Sequence, residues 1–126
     1  MPSTPYFMNV DLDIHAHADL QPLIDHWQDQ LIPLVSPTIA GAHFVRFELA
    51  DSYPTASETI QYFCTAVENL PPDLLQFWQQ CPKRILDIGY ESGTERPMLQ
   101  DALPMELLLK IAQYFTSLDI SLYPSE

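Results

Sequence analysis

Glycine is scarce in this sequence, with only 3 among 126 residues. Loops that hold phosphate groups, such as GxGxxG or the P-loop, need closely spaced glycines, and the nucleophile elbow of many hydrolases needs the pattern GxSxG. None of these patterns occurs in the chain. The sequence therefore argues against nucleotide chemistry and gives no complete catalytic motif.

Cysteine is also rare, and long apolar runs are missing. Cys64 and Cys81 form no CxxC motif and no metal-site spacing, and each continues an apolar helical stripe, so we predict buried free thiols. No run of about 18 apolar residues occurs, and residues 1–10 lack a basic region followed by an apolar stretch. The sequence thus predicts a cytoplasmic protein with no membrane span.

Positively charged residues are few. The chain has 5 Lys and Arg but 17 Asp and Glu, which gives a formal net charge of -12. Such a charge repels nucleic acid and anionic membranes and attracts cationic partners. Hydrophobic residues make up 47% of the chain, which is typical of a folded protein and not of an acidic disordered one. The length suits one hydrophobic core, so we predict a single domain over residues 1–126.

Strand patterns recur along the chain. Residues 10–18 alternate strictly between apolar and polar side chains, which is typical of a strand with one buried face. Shorter alternating segments follow, and one face of each is apolar. The sequence therefore predicts four strands, at residues 10–18, 43–49, 84–91 and 118–123.

Helix patterns lie between these strands. Asp19 is a candidate N-cap for a first helix that ends at Pro33. Thr55 and Glu58 have the spacing of a capping box, which predicts a second helix reaching about Asn69. Two further helices are predicted, at residues 73–80 and 104–115.

Three of the four predicted strands have a polar side, so helices should cover only one face of the sheet. The predicted fold is α+β, a two-layer sandwich in which helices pack on one face of a four-stranded mixed sheet. The uncovered face depends on the register, since a slip of one residue inverts a strand. With the apolar side of each predicted strand facing the helices, the uncovered face presents the candidate partner-binding residues Asp11, Asp13, His15, His17, Glu48, Asp87, Glu91, Asp119 and Tyr123.

The segment DLDIHAH is the sharpest chemical pattern, because it places Asp11, Asp13, His15 and His17 on one face of one predicted strand. Alternate histidines on a strand can bind zinc, with carboxylates completing the shell. The simpler interpretation is a solvated polar face, since no third ligand is placed beside the two histidines. We therefore predict no metal and no cofactor, and keep as the alternative a small metal-dependent hydrolase built on Asp13, His15, His17 and a carboxylate from a neighbouring strand.

Three segments in the C-terminal third are ILDIGYE (85–91), LPMELLLKIAQYF (103–115) and LDISLYP (118–124). Together they resemble a family of small bacterial domains of unknown function, some of which are similar to immunity proteins encoded beside polymorphic toxins. The resemblance implies a protein partner. It carries over no catalytic residue, because the family has no catalytic motif that aligns here.

The sequence therefore favours a non-enzymatic acidic protein of the immunity type, which neutralises a basic protein partner such as a toxin domain. Its carboxylates would attract the partner at long range and then form charge-assisted hydrogen bonds with Lys or Arg. An oligomeric regulatory or structural domain is a further alternative, and the oligomeric state is left open.

Overall fold

A computed structural model describes residues 5–35, 43–93 and 98–124 of the chain. It is a mixed α+β fold in which four helices accompany one five-stranded mixed sheet. In chain order the elements are β1 (Tyr6–His15), α1 (Gln21–His26), β2 (Leu31–Val35), β3 (Phe44–Leu49), α2 (Ala56–Glu68), α3 (Pro72–Gln80), β4 (Lys83–Glu91), α4 (Met105–Tyr114) and β5 (Ser117–Tyr123).

The sheet has the strand order β2-β3-β1-β4-β5. β1 is central and runs antiparallel to both β3 and β4, and β2 is antiparallel to β3. β5 is parallel to β4, which requires a crossover, and α4 lies in that connection. The fold class is as predicted, but the sheet has five strands where the sequence predicted four.

The additional strand is β2, which the sequence analysis included in the first helix. That helix was predicted to continue to Pro33, whereas α1 ends at His26. Leu31 pairs with Leu49, and Gln30 accepts a hydrogen bond from the Ala50 amide at 2.9 Å. The apolar spacing of this segment fits either a helix or a strand, and Pro33, which cannot donate to a ladder, is tolerated because β2 is an edge strand.

The first strand is displaced toward the N-terminus relative to the prediction. It starts at Tyr6 and ends at His15, with a register shift between Phe7 and Asn9. His17, predicted to share the strand face, lies beyond the end of β1. The Asp19 carboxylate accepts a hydrogen bond from the Gln21 amide at 2.9 Å, although the residue at the N-cap is Leu20.

The hydrophobic core lies between one sheet face and the helices. Val10, Leu12 and Ile14 of β1 are buried on this face, as their alternation predicts, and β3 and β4 contribute Phe47 and Leu86. Cys64 and Cys81 are both buried and free, as predicted, and burial raises the pKa of each thiol to about 11. Within the described ranges, no helix is long and apolar enough to cross a membrane.

Thr55 is the N-cap of α2 and makes one of the two hydrogen bonds of the predicted capping box. The Thr55 hydroxyl accepts a hydrogen bond from the Glu58 amide at 3.1 Å. Thr55→Ala should lower the free energy of unfolding by about 1 kcal/mol, because it leaves that amide without its partner while removing little buried surface. Urea denaturation at neutral pH measures the change. Thr65→Ala, an exposed threonine in the same helix, is the control and should change stability by less than about 0.5 kcal/mol; equal losses for both variants would contradict a capping role.

Candidate functional site

The candidate site is the sheet face opposite the helices, here called the open face. Its side chains come from alternate positions of β1, β3, β4 and β5, and most of them are half-buried or exposed. Strand pairing places Asp11 opposite Asp87, and Asp87 opposite Asp119. We call these three residues the aspartate row. Glu48 of β3 lies on the other side of Asp11, where its charge raises the pKa of the Asp11 carboxyl.

Asp11 is the most buried charged residue of this face, with 9% of its surface exposed. Desolvation raises its pKa to about 6, and the charges of Asp13, Glu48 and Asp87 act in the same direction against the opposing effect of Arg46. The Asn9 amide donates a hydrogen bond to Asp11 at 3.3 Å. The centre of the open face thus holds a carboxylate whose negative charge costs free energy in the folded protein.

Asp13 and Arg46 form an ion pair across β1 and β3. The guanidinium donates through Nε to Asp13 Oδ1 at 2.6 Å and through its second nitrogen to Oδ2 at 2.8 Å. The hydrogen bonds with Asp13 raise the pKa of Arg46. Such a bidentate pair is stronger than a single contact between point charges. Asp13 is therefore engaged within the fold, and the sequence analysis did not identify Arg46 as its partner.

The aspartate row is supported by neighbouring hydroxyl groups. Ser121 donates a hydrogen bond to Asp87 at 2.7 Å, and Ser117 donates one to Asp119 at 3.1 Å. Asp119 is exposed, whereas Asp87 is half-buried. These hydrogen bonds fix carboxylate positions while leaving acceptor sites for a ligand, since each ionised carboxylate has about four lone-pair directions.

Glu91 and Tyr123 lie at the far end of the open face, directly opposite each other on β4 and β5. The Tyr6 hydroxyl hydrogen-bonds with Glu91, which raises the pKa of Tyr6. A Cβ added at Gly89 would lie 3.0 Å from Asn9 Oδ1 and 3.2 Å from a ring carbon of Tyr123. Gly89 therefore provides the space in which the Tyr123 ring lies across the sheet.

Of the two histidines of DLDIHAH, His15 lies on the same face of β1 as Asp13, as predicted, whereas His17 does not. His15 lies opposite Lys83 at the end of β1, and its ring is 4.6 Å from that of Phe44. His17 is exposed and lines a separate small cavity beside Phe77. Across the described part of the chain, no group of three or more His, Cys, Asp or Glu side chains could hold a metal ion.

Eight of the nine predicted residues lie on the open face, namely Asp11, Asp13, His15, Glu48, Asp87, Glu91, Asp119 and Tyr123. The ninth, His17, lies beyond the end of β1. Residues that the sequence analysis did not assign to the site are Asn9, Arg46, Gly89 and Ser121. Arg46, Gly89 and Ser121 alternate with the apolar residues of predicted strands, so the same alternation that placed the aspartates on the open face could have placed them there too. Asn9 lay outside the predicted start of β1.

Comparisons with known proteins assign neither a family nor a function to this chain. No family model matches the chain, and neither a curated protein nor a solved structure matches it. The similarity of the C-terminal third to immunity-like domains therefore stays a prediction from the sequence.

Proposed function

We propose that this protein is a non-enzymatic binding protein whose open face binds a basic protein partner. The observation that carries the proposal is the aspartate row with Glu48 beside it, a line of carboxylates across four neighbouring strands. Of the described basic residues, Arg46 is the one whose charge acts on Asp11, and two hydrogen bonds hold it to Asp13. One cation is thus matched against Asp13 and the four carboxylates of the line, so the line keeps a net negative charge for a ligand.

The chemistry of the row favours Lys and Arg as the groups that bind. Carboxylates that serine hydroxyls already hold in place, as at Asp87 and Asp119, lose less conformational entropy on binding, and they form stronger hydrogen bonds with charged donors than with neutral ones. The pKa of Asp11 is raised mainly by desolvation and further by repulsion from neighbouring carboxylates, and a cation placed over the row would offset that repulsion. The row extends across four strands, which suits the surface of another protein more than a small molecule, which needs a concave site.

An immunity-type role, in which the partner is a toxin domain with a cationic cleft, is the most specific form of this proposal. It is supported by the sequence resemblance, whose segments form β4, α4 and β5. Those strands supply Asp87, Glu91, Asp119 and Tyr123 to the open face. A toxin gene directly upstream of the gene for this protein would be an independent observation in its favour.

The metal-dependent hydrolase is the less favoured alternative. It requires Asp13, His15 and His17 to act together, but Asp13 binds Arg46 and His17 lies beyond the strand. The geometry of the described residues thus gives this reaction no assembled ligand set.

Removing charge from the open face should weaken partner binding. The test variant combines Glu48→Gln, Asp87→Asn and Asp119→Asn, and the partner is the protein recovered from the source cell by the immobilised wild type at low salt. We expect the dissociation constant to rise by roughly 10- to 100-fold, mainly through slower association, because three attractive charges are lost. Stopped-flow association rates at several salt concentrations provide the measurement.

The control has the same net charge but removes carboxylates from the helix layer, through Glu58→Gln, Asp73→Asn and Glu106→Gln, all in first turns of helices. It should bind nearly as well as the wild type. Equal weakening in both triple variants would show that total charge matters and the open face does not, and failure to recover any partner at low salt would also contradict the proposal.

A further inference from the structure

The two edges of the sheet are protected to different degrees. β2 contains Pro33, and its pairing with β3 shifts register between Pro33 and Val35. A proline and an irregular register both hinder a further strand from adding to an edge. β5, at the other edge, has seven residues in regular register with β4, contains no proline, lysine or arginine, and carries one charge, that of Asp119. An edge strand of this kind is a template for pairing with another strand.

The apolar layer of the protein continues to this second edge. Ile120 and Leu122 lie on the helix side of the sheet, opposite the buried Ile88 and Tyr90, yet they are 66% and 67% exposed. Together with Leu99, they line an open cavity beside the sheet. Exposed apolar side chains on an unprotected strand edge are typical of an interaction surface.

The sequence of β5 is complementary to itself. If two copies pair antiparallel about a two-fold axis at Ile120, Leu118 lies opposite Leu122 of the second copy, and Asp119 lies opposite Ser121 of the second copy. No carboxylate then lies directly opposite a carboxylate. A shift of the axis to Asp119 would place two aspartates face to face, which is unfavourable. The charge pattern thus excludes the register centred on Asp119, and among the remaining registers the one centred on Ile120 places the most apolar side chains of β5 opposite each other.

We propose that this protein forms a dimer of two identical chains through antiparallel pairing of their β5 strands. The two five-stranded sheets then become one continuous sheet, and Ile120 and Leu122 lie beside their counterparts in the second copy. The arrangement is isologous, because the same strand serves both chains and the assembly closes at two. It does not depend on the function proposed for the open face.

Salt should distinguish this interface from the binding of a basic partner. Each chain carries a net charge of -12, so two copies repel each other, and screening by salt should strengthen the dimer. Binding of a basic partner should instead weaken as salt rises. The failure of either proposal can therefore be recognised without reference to the other.

Sedimentation equilibrium of the full chain tests the assembly. We expect the dimer fraction to rise over protein concentrations of about 10 to 500 µM, as for a small interface, and to be larger at about 500 mM NaCl than at about 50 mM. Ile120→Lys should abolish the dimer, because it places two charges opposite each other. Ile32→Lys, the same change at an exposed position of the protected edge, should leave the dimer intact. Thermal melts monitored by circular dichroism verify that both variants fold.

Disulfide trapping tests the register. Directly opposite residues of antiparallel strands have Cα atoms about 4.5 to 5.5 Å apart, which suits a disulfide. Ile120→Cys should therefore form a covalent dimer rapidly under mild oxidation, whereas Ile32→Cys should not. Cys64 and Cys81 can stay in place because they are buried.

Two results would overturn the proposal. One is a wild-type chain that sediments as a monomer at every concentration and salt level, with Ile120→Cys crosslinking no faster than Ile32→Cys. The other is a monomer in which Ile120→Lys abolishes capture of a different protein, since β5 would then pair with a strand of that protein and not with a second copy.

Discussion

Replacing Trp78 by alanine should lower the free energy of unfolding by about 4 kcal/mol, the largest loss we expect from a single substitution in this protein. Trp78 is fully buried, and its ring lies 5.7 Å from that of Trp27 and 5.5 Å from that of Phe115. Its indole nitrogen also donates a hydrogen bond to the Tyr114 carbonyl at 2.9 Å. Truncation thus creates a large cavity and removes the partner of a carbonyl at the end of α4. Chemical denaturation measures the loss.

Two further variants separate the contributions at this position. Trp78→Phe keeps an aromatic ring but removes the hydrogen bond to Tyr114, so it should cost roughly half as much as alanine. Phe77→Ala removes the neighbouring aromatic residue of α3, which is only half-buried, and should cost about 1 to 2 kcal/mol. If Trp78→Ala cost no more than Phe77→Ala, the ring contacts of Trp78 with Trp27 and Phe115 would not be central to the stability of the core.

Replacing Asp11 by asparagine should stabilise the protein at neutral pH and leave it unchanged in acid. The pKa of Asp11 is raised from 3.8 to about 6, so the folded state holds the proton more tightly than the unfolded state does. The stabilising contribution of the protonated carboxyl is fully present below about pH 4 and is lost as pH rises through about 6. A shift of two units corresponds to roughly 3 kcal/mol, and solvent on the open face screens part of it. We therefore expect Asp11→Asn to gain about 2 kcal/mol at pH 7.5.

The measurement is urea denaturation of wild type and Asp11→Asn at several pH values between about 3.5 and 7.5. Asparagine retains an oxygen that can accept the hydrogen bond from Asn9, so the neutral form of the site is preserved. Asp119→Asn, the same change at the exposed end of the aspartate row, is the control and should alter stability by less than about 0.5 kcal/mol. A stability difference for Asp11→Asn that is independent of pH would exclude a buried, titrating carboxyl as its cause.

The gain from Asp11→Asn has a functional implication. A buried carboxylate that destabilises the fold at neutral pH is expected where charge serves recognition, because such groups are retained at binding sites at the expense of stability. Under the proposed function, Asp11→Asn should therefore be more stable than the wild type but bind the basic partner less tightly. The pair of measurements links the energetics of the open face to its proposed role.

Alternation of apolar and polar residues predicted most of the sheet correctly. The buried faces of β3 and β4 follow from their sequences, because one face of each is apolar and a period of two leaves a single choice of face. β5 has the same alternation, although its apolar face stays largely exposed. The same reasoning failed for β2, where the apolar positions around Leu31 fit a helical stripe as well as a strand. Pairing with β3 decides between them, and pairing between distant segments is not encoded in local periodicity.

The candidate site was predicted only in part, because pairing between strands is again not encoded in the local sequence. The alternation of side chains placed Asp11, Asp87 and Asp119 on one face, but only the strand order shows that they lie side by side. The pattern DLDIHAH suggested that Asp13 and His17 act together, whereas Asp13 pairs with Arg46, a residue 33 positions away, and the strand ends before His17.

The amino-acid sequence alone determines that this chain is strongly acidic, that it folds around one apolar layer, and that its strands keep carboxylates on the side away from that layer. Net charge is a sum over residues, and the alternation of apolar and polar side chains is a local pattern. Neither depends on which segments of the chain pair in the fold. Only the tertiary structure decides that the carboxylates form a continuous row, that Asp13 binds Arg46, and that β5 is an edge strand of the sheet. Each of these depends on the order in which strands pair, and that order is set by packing between residues far apart in the chain.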